Sequence, residues 1–200
     1  MRKLVEFQVL DCNANHYGID LSDLMDNAGR SIADYISNNY NLDKKISIVC
    51  GRGNNGGDGY VASYILSERG FEVWVFQLSS PSSAIANVKY QKIKKEVHDI
   101  SALDGFRDKT DILVDCLLGS GIKGEPKSPY DEYIEVMNGF DYIISVDIAS
   151  GIGTKHSIKP NVTITFHDYK VEMNEENSGT IILHDVGFPD YIDQRTGPGE

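Results

Sequence analysis

Short apolar segments that fit β-strands alternate with longer segments that fit α-helices through most of this chain. The pattern predicts strands at 46–50, 72–76, 112–116, 142–147, 162–166 and 180–183, with helices between them at 58–69, 84–97 and 129–138. Two more helices are predicted before the first strand, one over 5–17 and a second that Ser22 caps. The alternation predicts a doubly wound α/β fold, a mainly parallel sheet with helices on both faces in a Rossmann-like three-layer sandwich.

The central strands are apolar without strict alternation, which is typical of strands that are buried on both faces. With 200 residues, of which 40% are hydrophobic, the chain suffices for one domain over 1–200 with a full core. The turn-rich segment 194–200 closes no element, so we expect that the natural chain can continue beyond it.

Composition and charge narrow the function and the location. A formal net charge of −11 argues against broad contact with nucleic-acid phosphates, which requires clustered Lys and Arg. The sequence has neither a membrane span nor the apolar stretch of a secretory signal, so we expect a cytoplasmic protein. Cys12, Cys50 and Cys116 are widely spaced and argue against a disulfide framework or a zinc site.

Five glycines lie between residues 51 and 59, directly after the first predicted strand. A strand, a glycine-rich turn and a helix start together form an anion-binding cradle, because helix-start N–H groups point at the ligand. The turn has the spacing G-x-G-x-x-G, but a dinucleotide fingerprint also needs an acid at the tip of the second strand, where this chain has Gln77. It also lacks the Lys-Ser/Thr pair of a nucleotide-triphosphate loop.

Two predicted central strands end in aspartates, Asp115 and Asp147. Ligands of open parallel sheets bind outside the carboxyl ends of the strands, so both should face the glycine cradle. The segment Gly119–Gly124 after Asp115 is a second flexible loop, and its Lys123 is a candidate ligand or acid.

Asn55, Asp115 and Ser150 form a set of oxygen donors from three predicted loops. Oxygen ligands without His or Cys favour an alkali or alkaline-earth cation over a transition metal. Since the set holds a single carboxylate, a monovalent ion is the better prediction.

Four stretches of this sequence resemble the NAD(P)H-hydrate epimerases, which also occur as the N-terminal domain of bifunctional nicotinamide-nucleotide repair proteins. The resemblance runs in order from about residue 4 to residue 189, and the Asn-Asn-Gly-Gly-Asp motif is its most specific part. The matching stretches are Leu24-Met25-Asp26-Asn27-Ala28-Gly29, Gly53-Asn54-Asn55-Gly56-Gly57-Asp58-Gly59, Asp115-Cys116-Leu117-Leu118-Gly119-Ser120-Gly121-Ile122-Lys123-Gly124 and Ser145-Val146-Asp147-Ile148-Ala149-Ser150-Gly151, with Thr163-Ile164-Thr165-Phe166 and Lys170 further on.

The resemblance implies an isomerase that interconverts the R and S forms of hydrated NADH and NADPH. It implies potassium at Asn55, Asp115 and Ser150, and Asp147 as the residue that contacts the substrate and catalyses. We expect Lys123 to hold the phosphates or to help orient the ring. The residues implied in substrate binding are Asn54, Asn55, Gly56, Gly57, Asp58, Gly119, Ser120, Gly121, Ile122, Lys123, Gly124, Glu125 and Asp147.

Three departures from the family pattern concern the rim of the expected site. Ala149 replaces the usual proline, the loop 151–161 is shorter, and Val171-Glu172 replaces Pro-Gly after Lys170. Two alternatives stay open at this point, a non-catalytic nucleotide-binding module on the same fold and an NAD-dependent oxidoreductase. We also expect a homodimer and a dehydratase domain or partner.

Overall fold

The computed structural model describes residue 1, residues 3–121 and residues 124–188, without the side chains of residues 8, 11–13, 15 and 16. Its centre is a seven-stranded sheet in which all neighbouring strands run parallel. The order across the sheet is β3-β2-β1-β4-β5-β6-β7, which confirms the predicted doubly wound fold. The strands are β1 (Lys45–Cys50), β2 (Glu72–Gln77), β3 (Val97–Asp99), β4 (Ile112–Cys116), β5 (Ile143–Val146), β6 (Val162–Phe166) and β7 (Thr180–His184).

Six α-helices and two 3₁₀ segments accompany the strands within the described residues. The helices are α1 (Leu4–His16), α2 (Leu21–Asn39), α3 (Asn54–Glu68), α4 (Ala84–Ile93), α5 (Tyr130–Met137) and α6 (Glu175–Ser178). The 3₁₀ segments are Lys94–Glu96 and Ile100–Lys109. No helix in the described part of the chain combines the length and the apolar character needed to cross a membrane.

Alternate residues of the strands contribute to two hydrophobic clusters, one on each face of the sheet. Ile46 and Ile48 of β1 join the cluster that includes residues of α2 and α3. Val49, the next residue after Ile48, joins the opposite cluster with residues of α5 and the longer 3₁₀ segment. Both faces of the central strands are therefore covered, which explains why their sequences are largely apolar without strict alternation.

The structure differs from the predicted elements in three places. Asp20 caps α2, accepting a hydrogen bond from the backbone N–H of Ser22 at 2.8 Å, so the prediction that Ser22 is the cap was wrong. The predicted helix 84–97 ends at Ile93, and the short edge strand β3 follows it. This strand has exposed residues at His98 and Asp99, so it lacks the apolar run that would have indicated it.

The third difference lies within the glycine-rich motif. Helix α3 begins at Asn54, four residues before the predicted start, so most of the predicted turn is its first helical turn. The connection between β1 and α3 is only Gly51 to Gly53. Its Gly51 N–H donates to the Cys116 carbonyl oxygen at 2.9 Å, and a side chain on Gly51 would overlap the Leu117 carbonyl. The loops after β1 and β4 thus touch at the point where the strand order reverses.

Candidate functional site

A cavity of about 520 Å³ opens at the carboxyl edge of the sheet, beside the point where the strand order reverses. This is the place at which open α/β sheets bind their ligands. The cavity is lined by segments that are distant in the sequence, including α2, the start of α3, the loop after β4 and residues that follow β5 and β6. Of the predicted site residues it brings together Asn54, Asn55, Asp58, Gly119, Ser120, Gly121 and Asp147.

Gly56 and Gly57 do not line this cavity, although both lie in the predicted cradle. A side chain on Gly56 would overlap the Gly51 carbonyl, and one on Gly57 would overlap the Met25 thioether. These two glycines therefore let α3 pack closely against its neighbours. At the start of the helix, Gly53 provides no side-chain cap, so within the described part of the chain N–H groups of the first turn are available for an anion.

Two residues at the far end of the second predicted loop are not on the cavity wall. Gly124 and Glu125 are exposed and lie outside the cavity lining. Ile122 and Lys123 lie outside the described residues, so the role expected of Lys123 stays a prediction. Of the loop residues that the structure describes, Gly119 to Gly121 line the cavity.

Asp115 is completely buried beneath the cavity and is held by four hydrogen bonds. Its Oδ1 accepts from the Ser150 hydroxyl at 2.6 Å and from the Leu117 N–H at 3.2 Å. Its Oδ2 accepts from the Ser145 hydroxyl at 2.8 Å and from the Ser150 N–H at 2.9 Å. Burial raises the pKa of the Asp115 carboxyl above its ordinary value, although these hydrogen bonds favour the ionised form. A nearby cation would offset that desolvation.

Asn55 adjoins this cluster, since it shares the Leu118 carbonyl as an acceptor with the Ser150 hydroxyl. Its Nδ2 donates to the Leu118 carbonyl at 3.1 Å, which fixes the orientation of the amide, since the reverse orientation would place two oxygens together. Its Oδ1 is buried and has no hydrogen-bond partner among the residues that the structure describes. An unpartnered buried acceptor is costly, and a bound cation would satisfy it. The chemistry of the predicted oxygen set of Asn55, Asp115 and Ser150 therefore fits a bound cation, and potassium at this place stays a prediction.

Asp147 follows β5 and reaches the cavity wall with an uncommon backbone conformation. Its φ is +64°, in the left-handed region that Asp tolerates better than most residues, and its N–H donates to the Ile164 carbonyl at 2.7 Å. Its side chain is 22% exposed. Oδ1 accepts a hydrogen bond of 2.5 Å from the buried ammonium of Lys170. Residues in sparsely populated conformations cluster at active sites, which supports the choice of Asp147.

Several cavity residues were not predicted from the sequence. Phe7, Phe166, His167 and Phe188 form an aromatic wall, in which the His167 ring lies 4.7 Å from that of Phe188 and 6.3 Å from that of Phe7. Phe166 ends β6, and His167 follows it. The rule that selected Asp115 and Asp147, a position at the carboxyl end of a strand, would have found both.

The fold and the cavity define an α/β protein of the doubly wound class with a ligand site at its switch point. The chain belongs to the family described as YjeF-related protein N-terminus, whose model matches residues 21–171.

Two named relatives illustrate the range of proteins to which this chain is similar. It is 36% identical over 184 residues to an NAD(P)H-hydrate epimerase of Elusimicrobium minutum, covering 85% of this chain and 83% of that protein. It is 30% identical over 205 residues to the bifunctional NAD(P)H-hydrate repair enzyme Nnr of Archaeoglobus fulgidus, covering 98% of this chain and 43% of that protein. The chain thus spans less than half the length of this bifunctional relative.

The crystal structure of yeast ynu0 has the same fold. Its TM-score is 0.85 with 21% sequence identity, and the match covers 98% of this chain and 93% of the yeast chain. At this identity the likeness supports the architecture, and the residues of the site carry the functional argument.

Proposed function

We propose that this chain is an NAD(P)H-hydrate epimerase, an isomerase that interconverts the R and S forms of hydrated NADH and NADPH. The observation that carries the proposal is the presence, in one cavity, of the Asp147 carboxylate and the uncapped start of α3. The first can move a proton, and the second can hold a phosphate. The names of the relatives supply the substrate class.

In the hydrated cofactor, a hydroxyl group lies on the carbon next to the ring nitrogen, which makes a hemiaminal. When the hydroxyl gains a proton it leaves as water, and the nitrogen lone pair forms a C=N bond. Water that adds to the other face of the planar cation gives the opposite epimer and loses one proton. Asp147 takes a proton from solvent and passes it to the leaving oxygen. Its anion then stabilises the ring cation, accepts one proton from the adding water and returns it to solvent.

The rest of the cavity binds and shields the substrate. The start of α3 and the segment Gly119–Gly121 hold the phosphates through backbone N–H groups. The aromatic wall of Phe7, Phe166, His167 and Phe188 covers the reacting ring and limits the entry of bulk water. The apolar surface suits a flat ring, and the polar surface suits the phosphates.

Potassium is the proposed cofactor, held by Asn55, Asp115 and Ser150. The ion would compensate the buried charge of Asp115 and connect α3 with the loops after β4 and β5. Its function in the proposal is structural. The orphaned Oδ1 of Asn55 supports this assignment.

A hydride-transfer function lacks comparable support. The side chain of Gln77, at the strand tip where dehydrogenases carry the ribose acid, accepts a hydrogen bond from the Tyr60 hydroxyl at 3.0 Å. The proposal also includes a cytoplasmic location, a homodimer and a dehydratase domain or partner. The bifunctional names of several relatives support the last of these.

The test is a coupled assay on a mixed pool of R and S hydrates with a dehydratase that consumes one epimer only. With this protein present, both epimers should be consumed, because the unused epimer is continually converted into the used one. Without it, consumption should stop near the initial fraction of the used epimer, apart from slow spontaneous conversion. Consumption that stops at this same level with the protein present would contradict the proposal.

A further inference from the structure

The ammonium of Lys170 is buried and has three acceptors for its three protons. Nζ donates to Asp147 Oδ1 at 2.5 Å, to Thr165 Oγ1 at 2.6 Å and to the Phe166 carbonyl at 3.0 Å. The Phe7 ring covers it, with its centroid 4.4 Å from Nζ. The lysine side chain is 0% exposed. With all three protons engaged, Lys170 has no donor left for a ligand in the cavity.

The Asp147 carboxylate is held on one side only. Among the described residues, the donor that reaches its side chain is Lys170, which bonds to Oδ1. Its Oδ2 is therefore available to the cavity, which Asp147 lines. The fixed backbone conformation and the bond to Lys170 together leave this carboxylate little freedom to rotate.

We propose that Lys170 is a positioning residue of the site, whose buried ammonium holds the Asp147 carboxyl group in place and turns one of its oxygens to the reacting ring. This inference rests on the proposed epimerase function. Lys170 acts through Asp147 and does not touch the substrate itself. Preorganised groups of this kind raise the rate because the transition state then requires no reorientation of the charge that stabilises it.

The energetics of this ion pair favour a role in function over a role in stability. Removing an ammonium from water is costly, and a well-packed apolar side chain at the same position would often stabilise the fold as much or more. The ion pair lies on the cavity wall, beside the carboxylate that the proposed reaction uses. A second buried lysine serves as a comparison: Lys89 donates to Asp26 at 2.8 Å, between α4 and α2, and does not line the cavity.

The first test compares the variants Lys170→Met and Lys89→Met. Both lose a buried ammonium that pairs with an aspartate. If Lys170 positions Asp147, then Lys170→Met should lower kcat by about 10²-fold with a much smaller change in KM, since small misplacements of catalytic groups have such effects. Lys89→Met should keep kcat within about 3-fold of the wild type at a temperature where both variants are folded. Wild-type kcat in folded Lys170→Met would overturn the inference.

A gentler pair of variants covers the case in which Lys170→Met does not fold. Thr165→Val removes one acceptor of the ammonium without changing the shape of the side chain. Thr163→Val is the matched control, because Thr163 lies on the same strand, is equally buried and donates to the Ser178 carbonyl at 2.7 Å. We expect Thr165→Val to lower kcat about 10-fold, and Thr163→Val to leave it unchanged. Equal effects of the two variants on kcat would overturn the inference.

A spectroscopic measurement separates this inference from the proposed function. Nitrogen-15 NMR of the lysine side chains should show a slowly exchanging ammonium signal for Lys170, because it is buried and hydrogen-bonded. That signal should shift in Asp147→Asn and stay in place in Asp26→Asn. If the wild type shows this signature but no epimerase activity, the proposed function fails while the holding of Asp147 stands. If the enzyme is active but the Lys170 signal does not shift in Asp147→Asn, the positioning role is wrong and the proposed function stands.

Discussion

At the scale of the residue, Asp147 tests the proposed chemistry most directly. Asp147→Asn keeps the side-chain shape and an oxygen for Lys170, and Asn also tolerates the left-handed backbone conformation. It removes the proton acceptor and the negative charge that faces the ring. Turnover of the hydrates should fall about 10²–10⁴-fold, with substrate affinity largely retained. Steady-state kinetics with the coupled dehydratase would measure this, and near-normal turnover would contradict the assignment of Asp147.

A second strand-end carboxylate supplies the control for that substitution. Asp99 ends β3, where it accepts a hydrogen bond from the Ser101 N–H at 2.9 Å, and it does not line the cavity. Asp99→Asn makes the same chemical change at the same edge of the sheet. Its turnover should equal that of the wild type.

At the scale of the element, the start of α3 explains the glycines of the motif. Gly56→Ala would place a methyl group on the Gly51 carbonyl, so α3 would have to move away from the loop after β1. Unfolding in urea should show a loss of roughly 1–3 kcal/mol, the usual cost of overpacking. Gly105 has open space at the position of a Cβ atom and an ordinary φ, so Gly105→Ala should be neutral or slightly stabilising. If the free energy of unfolding of Gly56→Ala equals that of the wild type, the start of α3 is less tightly packed than described.

The elements also show which parts of the fold could be predicted from the sequence. The strands β1, β4 and β5 were predictable because burial on both faces makes each a largely apolar run. The start of α3 was not predictable, since Gly56 and Gly57 indicate a turn when the residues that pack against them are unknown. Only the packing against the Gly51 carbonyl and Met25 shows that these glycines belong to a helix.

The site was predictable to a similar extent and for a related reason. Asp115 and Asp147 could be selected because each directly follows an apolar strand segment, and the sheet brings such positions to one edge. The pairing of Asp147 with Lys170 could not be predicted, because it depends on the path of the chain after β6. The same holds for Phe7, which reaches the cavity from α1, far away in the sequence.

At the scale of the whole molecule, the proposed potassium ion connects three separate parts of the chain. An ion that binds only the folded state stabilises it by about 2.7 kcal/mol when its concentration is a hundred times its Kd. The melting temperature should therefore rise with potassium chloride and stay lower in tetramethylammonium chloride of equal ionic strength, because the bulky cation cannot enter the oxygen set. Equal melting temperatures in both salts would contradict the ion site.

A pair of asparagine variants separates this ion effect from a general effect of salt. Asn55→Ala removes the orphaned buried oxygen and should abolish the potassium response. Asn138 is also partly buried and bridges to Ser157 and Lys159 by hydrogen bonds, but it lies outside the oxygen set. Asn138→Ala should lower the melting temperature and keep the potassium response.

The pairing of β1 with β4 also has a consequence for synthesis on the ribosome. β4 begins at Ile112, after α3, β2, α4 and β3 have already emerged. Until then, the apolar β1 has β2 on one side and an unpaired edge on the other. Unpaired edges of this kind recruit strands from other chains. The arrangement that opens the binding cavity thus leaves the nascent protein with an exposed strand edge until β4 emerges.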